Sequence, residues 1–161
     1  PELLKKLGRL TDKVTESNRV AANFYEKLRY LNKLYAGKKR VKIFYQIWDE
    51  PIMTLNGEHL VSDVIRICGG INIFATSSPL VPRVNIETIM RFDPEVIITS
   101  GTQERLESWK KTWSRWRSIT AVKGGHLYLL PPDLIQRATY RTLDGATYMC
   151  EYLDRYREYG S

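Results

Sequence analysis

The sequence predicts an α/β fold: a long amino-terminal helix, then one lobe with a mostly parallel central sheet flanked by helices. Three observations predict it. Apolar residues recur in steps of three and four along the first 37 positions. From position 41 onward, strand-sized β-branched runs alternate with helical patterns, and glycine or proline pairs mark the junctions. The expected division is a connecting helix over residues 1–37 and a lobe over residues 38–161.

The helix is read from Leu3, Leu7, Leu10, Val14, Ser17, Ala21, Phe24, Leu28, Leu31 and Tyr35, which share one stripe. Gly8 weakens its first turns and Ala36-Gly37 supplies a stop. Thirty residues would span about 45 Å, long for a globular helix, so it coils with a partner or crosses the back of a larger body. The break at Ser17 makes a self-sufficient coiled coil the weaker choice.

Val41 to Ile47 then reads as a strand, and Trp48 to Asn56, with Pro51, as a loop. Leu60, Val61, Val64, Ile65 and Cys68 recur at helical spacing, with His59 placed inside that helix, and Gly69-Gly70 ends it. Asn72 to Phe74 suggests a short strand. Asn85 caps a short helix from Ile86 to Phe92, and Asp93-Pro94 turns the chain into a strand, Val96 to Thr99. Ser100-Gly101 opens a helix through Trp109 or Trp113. Gly124-Gly125 leads into a strand from His126 to Leu130, and a last helix is expected from about Leu134 to Tyr156. Ligands of parallel sheets bind beyond the strands' carboxyl ends, which here lead into Trp48–Asn56, Ser100–Gln103 and Pro131–Arg137.

Bulk properties narrow the function. The 161 residues are 43% hydrophobic, enough for a real core, and no apolar run approaches the length of a membrane span. The net charge of +7 raises the alternative of a nucleic-acid-binding module. The basic residues are scattered, however, and those around Trp109, Trp113 and Trp116 fit an amphipathic helix whose indoles pack on the sheet. The chain enters helical pattern at Pro1, without initiator Met or signal segment, so we expect it to continue a longer protein.

Catalytic equipment is thin. His59 and His126 stand in no HExxH, GxSxG or Cys–His setting, and both are expected to be structural. Gly69-Gly70 follows a helix, whereas phosphate-binding glycines follow a strand. Asp49 and Glu50 are adjacent carboxylates on a loop with no assignable acid or base partner. Cys68 and Cys150 lack a CxxC pattern or a neighbouring histidine, which argues against zinc and leaves two buried thiols or one long-range disulfide. No enzyme activity and no catalytic cofactor are expected.

Four blocks carry a family resemblance: Tyr45 through Thr54 to Gly57; Val64 through Cys68-Gly69-Gly70 to Asn72-Ile73-Phe74; Val84-Asn85-Ile86-Glu87 with Phe92 through Ile98; and Asp133 through Arg137-Ala138. In that order they resemble the carboxyl-terminal lobe of the cobalamin- and siderophore-binding proteins of ABC importers. The resemblance implies two α/β lobes bridged by one long helix, with the ligand between them; residues 10–36 fit the bridge, and the lobe preceding it is not in this sequence. It implies a disulfide between Cys68 and Cys150 and a periplasmic or lipid-anchored extracytoplasmic setting. It also implies docking of Glu87 on the permease subunits of the importer.

A corrinoid, cobalamin, is the ligand implied, with ferric siderophore or haem as the alternative and Arg83, Arg137 and Arg141 available for an anionic chelate. The resembling loop of the cobalamin binders holds Trp between two prolines; here it reads Pro79-Leu80-Val81-Pro82, which moves the expected aromatic contact to Trp48. Pro51 and Met53 continue that wall, and Asp133 and Arg137 are expected to touch the ligand's polar groups. The amino-terminal helix, lacking its lobe, is expected to fray or to associate with a second copy.

Overall fold

The structure is a computed structural model and describes residues 13–132 and 142–160. Helix α1, Val14–Tyr35, follows the apolar stripe: Ser17, Ala21, Leu31 and Tyr35 are buried, with Phe24 and Leu28 half-buried. Ser17, the break in that stripe, is accommodated because its hydroxyl donates to the Val14 carbonyl (2.9 Å). The earlier stripe residues Leu3, Leu7 and Leu10 lie outside the described residues.

Strand β1, Val41–Gln46, comes next, then helix α2, Leu60–Ile67, and strand β2, Gly70–Asn72. Helix α3, Ile86–Phe92, precedes strand β3, Val96–Ser100. Helices α4, Gln103–Trp113, and α5, Thr120–Lys123, precede strand β4, Leu127–Leu130, and helix α6, Thr142–Tyr159, follows. The four strands are all parallel in the order β2-β1-β3-β4. None of the described helices is long and apolar enough to cross a membrane.

Side chains alternate across a strand, so a sheet buried on both faces needs two cores. One face places Val41, Ile43, Tyr45, Val96 and Ile98 under α1, α2 and α6. The other places Phe44, Ile97 and Leu127 with Ile89 of α3 and with Trp109 and Trp113 of α4. The expected packing of these two indoles on the sheet is what the structure shows. The short helix α5 was not anticipated; its first turn is held by Asp93, whose carboxylate accepts from the Thr120 amide and hydroxyl, both at 2.8 Å. Asp93 itself takes the left-handed conformation (φ 48°) that ends α3.

Two sequence expectations are corrected. His59 is not inside α2: it is the N-cap, extended in backbone, and its Nδ1 accepts from the Val61 amide (3.2 Å). The short strand is Gly70–Asn72, not Asn72–Phe74, because the Asn72 side chain turns the chain at its end. Its amide donates to the Leu55 carbonyl and the Ser62 hydroxyl (both 2.8 Å), while its carbonyl oxygen accepts from the Phe74 amide (2.9 Å). The Asn85 cap stands as expected, accepting from the Thr88 amide (2.8 Å).

A disulfide joins Cys68 and Cys150, with Cα atoms 4.7 Å apart, tying the end of α2 to α6. Gly69 allows it: φ is +74°, and a Cβ there would come within 2.8 Å of the Arg157 guanidinium. That guanidinium donates to the Cys68 carbonyl (2.8 Å), the Lys39 carbonyl (2.9 Å) and Asp154 (2.7 Å), and Lys38 pairs with the same carboxylate at 2.6 Å.

The bridge closes a loop of 82 residues. The chain-entropy model gives such a closure about 4.5 kcal/mol. Replacing both cysteines by alanine should therefore lower Tm by about 10 °C; an unchanged melting curve would contradict a bridge of that weight. Burial opposes ionisation of Asp154, yet the hydrogen bonds from Lys38 and Arg157 prevail and hold its pKa below the ordinary 3.8. A depressed carboxyl pKa stabilises the fold above its unfolded value and loses that contribution as pH falls through the folded value. Wild type should thus out-melt Asp154→Asn by a constant margin from pH 5 to 7, and that margin should shrink below about pH 4.

Candidate ligand-binding site

The carboxyl ends of β1, β3 and β4 open into a recess of about 360 Å³, lined in part by Ile47, Trp48, Thr99, Ser100, Arg105 and Leu129. This is where a parallel sheet leaves room, since its flanking helices cover both faces but not its end. The loop after β1 forms one wall. Trp48 is 60% exposed. Its indole N–H donates to the Glu50 carbonyl (3.0 Å), and its backbone pairs with Met53, so a flat aromatic face is held toward solvent. The Glu50–Pro51 peptide within this loop is cis.

Helix α4 forms the opposite wall. Arg105 pairs with Asp49 of the β1 loop at 2.8 Å, across the mouth. Beneath that pair the buried Gln46 amide lies between loop and helix. Its oxygen accepts from the indole N–H groups of Trp109 (2.7 Å) and Trp113 (3.0 Å), and its nitrogen donates to the Trp48 carbonyl (3.2 Å) and the Asp49 carboxylate (3.0 Å). Beside it the Thr99 hydroxyl donates to the Gln46 carbonyl (3.0 Å) and the Thr54 hydroxyl to the Tyr45 carbonyl (2.7 Å). Burial pushes the Tyr45 phenol up to about 12, against a hydrogen bond with Ser100. A second hollow of about 150 Å³ adjoins the recess, walled by Ile52, Ile86, Trp109, Trp113 and Trp116 and sharing Asp49 and Arg105 with it.

Of the residues singled out in the sequence, Trp48 lines the recess. Pro51, exposed, and Met53, half-buried, stand on the same loop but not among the lining residues described here. Met53 instead pairs its backbone with Trp48 and Arg83. Glu87 is exposed in the first turn of α3 and lines neither the hollow nor the recess. Asp133 and Arg137, and with them Arg141, lie outside the described residues.

Sequence reading missed the roles of Gln46, Asp49 and Arg105. The carboxyl-end rule pointed to the segment bearing Asp49, but its second segment, Ser100–Gln103, stops short of Arg105, and nothing in the spacing joins positions 46, 49, 105, 109 and 113.

The recess presents an indole face, hydroxyls and an internally neutralised ion pair, a combination suited to holding an amphipathic ligand. Neither histidine lines it. His59 caps α2, and His126 packs edge-on against Tyr156 and hydrogen-bonds Tyr128 at 3.2 Å; burial lowers both imidazole pKa values, which keeps the rings neutral at pH 7. Some of the surface cations are ion-paired, among them Lys27 with Asp144 and Arg66 with Asp63.

Comparison with known proteins shows what the chain is similar to. The chain is 32% identical over 152 residues to the vitamin B12-binding protein of Vibrio parahaemolyticus, covering 94% of the chain and 54% of that protein. It is 36% identical over 136 residues to the vitamin B12-binding protein of Vibrio cholerae, covering 84% of the chain and 48% of that protein. It therefore spans about half the length of the curated relatives it matches. The crystal structure of the periplasmic vitamin B12 binding protein of Vibrio cholerae superposes with a TM-score of 0.88 at 31% identity, covering 96% of this chain and 60% of that one. A haem complex from Staphylococcus aureus superposes at 0.79 with 16% identity, which is a likeness of fold alone. The profile of the periplasmic binding protein family, whose members are substrate carriers, matches residues 1–134. This chain belongs to the periplasmic binding protein family.

Proposed function

We propose that this chain supplies one wall of a corrinoid-binding cleft in the substrate-binding component of an ABC importer. The observation that carries the reading is the superposition on the vitamin B12 binding protein of Vibrio cholerae, at 31% identity over nearly the whole chain. The recess at the strand ends supports it, because it offers the indole of Trp48 to a flat ligand without presenting an unpaired cation to an anionic one among its described lining residues.

In this reading residues 1–37 form the connecting helix and residues 38–161 the carboxyl-terminal lobe, facing an amino-terminal lobe that completes the cleft. The work is capture without bond chemistry. Trp48, Pro51 and Met53 form the apolar side, Asp133 and Arg137 meet the ligand's amides, and Glu87 docks on the permease outside the cytoplasm. The disulfide suits an oxidising compartment.

Titration with cyanocobalamin and, in parallel, with a ferric siderophore and haem tests the ligand class. Tighter binding of either iron chelate would replace the corrinoid reading by its rival. Trp48→Ala should weaken cyanocobalamin binding about tenfold, the loss of ~1.4 kcal/mol expected for one stacked indole. Equal affinity in a fluorescence titration would remove Trp48 from the contact surface. For Glu87→Ala the expectation is intact affinity with reduced uptake into vesicles bearing the importer. Full uptake would leave Glu87 only its stabilising place at the positive end of α3.

A further inference from the structure

We infer that Gln46 is the positioning residue of the binding wall, an amide that holds the Trp48 loop and helix α4 in mutual register. The inference rests on the corrinoid reading for its ligand but on geometry for its mechanism.

A glutamine amide has two lone pairs and two hydrogens, and Gln46, only 4% exposed, uses all four. Its orientation is dictated by its partners. Indole nitrogens only donate, so the oxygen must face Trp109 and Trp113; a carbonyl and a carboxylate only accept, so the nitrogen must face Trp48 and Asp49. Two bonds go to the helix and two to the loop. Asp49, fixed from below by Gln46, then holds Arg105 of the same helix from above. The charged groups nearest this position are thus Asp49 from the loop and, behind it, Arg105 from α4, with Glu50, the next loop residue, also lining the recess.

The consequence is directional. A buried side chain that makes no more than structural contacts could be replaced by any that fills the space. Here one end must donate. Gln46→Glu keeps the shape and the acceptor for the indoles but turns the donating end into an oxygen aimed at a carbonyl and a carboxylate. Above its pKa that carboxyl repels the loop; once protonated it donates again and the loop returns. The variant should therefore bind in a pH-dependent way where wild type does not.

The test uses the polypeptide as its gene encodes it, with cyanocobalamin as probe, at pH 8 and pH 5. Gln46→Glu should bind at least tenfold more weakly than wild type at pH 8 and recover most of that deficit at pH 5, while wild type changes less than threefold. Equal affinity at pH 8, or a deficit undiminished at pH 5, overturns the inference. Hydrogen exchange of backbone amides over residues 47–53 supplies a readout without ligand. Exchange in the variant should be faster than in wild type at pH 8, after correction for intrinsic rates, and approach it at pH 5; equal protection at both pH values also overturns the inference.

If wild type fails to bind cyanocobalamin, the corrinoid reading falls while the exchange arm still decides the role of Gln46. Should Gln46→Glu not fold, Asp49→Ala cuts the loop from both the amide and Arg105 at the surface. It should accelerate exchange over the same residues at both pH values, and unaltered exchange would count against the inference.

Discussion

The parallel pairing of β1 with β3 sets the terms for everything else in the lobe. These two strands are buried almost throughout, on both faces, and every backbone group they do not pair in the ladder has to find another partner. Covering both faces requires helices from connections long enough to reverse the chain, which is why α2 and α6 lie on one side and α3, α4 and α5 on the other. The same constraint leaves one place open. Where β1 and β3 end, the chain passes into loops, and hydroxyls from Thr54 and Thr99 donate to the Tyr45 and Gln46 carbonyls at the end of β1. The recess is the residue of that geometry, not an addition to it.

The edge of the sheet is secured differently. Strand β2 is only three residues long and has β1 as its one neighbour. Its entry is fastened to α6 by the Cys68–Cys150 bridge and by Arg157, which spans the Cys68 and Lys39 carbonyls. Asp154 joins Lys38 and Arg157 in the same seam, so the start of β1 and the end of α2 are referenced to one helix. A covalent bond and a shared carboxylate do at the edge what side-chain packing does at the centre. Charge pairing of this kind contributes little on an open surface. Here Arg157 is only 10% exposed and reaches two backbone carbonyls, which gives the cluster its geometric value.

One wall of the recess is a loop held by buried polar groups. Trp48 can present an indole to solvent because its N–H is satisfied locally and its backbone is pinned to Met53. The opposite wall is placed by Trp109 and Trp113, whose bulk belongs to the core but whose N–H groups need acceptors there. Gln46 meets both demands. The chain belongs to the periplasmic binding protein family and shares its fold with the vitamin B12 binding protein of Vibrio cholerae.

The sequence by itself determined the element types, because hydrophobic period and capping chemistry are local. The stripe from Ser17 to Tyr35, the Asn85 cap, the glycine pair after Cys68 and the strand at Val96 were all legible, as was the family from four ordered blocks. Local chemistry also misled where a side chain acted against its segment: His59 reads as helical yet caps, and Asn72 reads as the start of a strand yet ends one. The family resemblance implied the Cys68–Cys150 bridge and the structure shows it, but only the tertiary structure decided that Asp49 meets Arg105. It alone brought Gln46 between two indoles more than sixty positions away. Those pairings depend on strand order and on the faces helices turn to the sheet. Both are settled by burying two cores at once, a property of the whole chain that no short stretch of residues encodes.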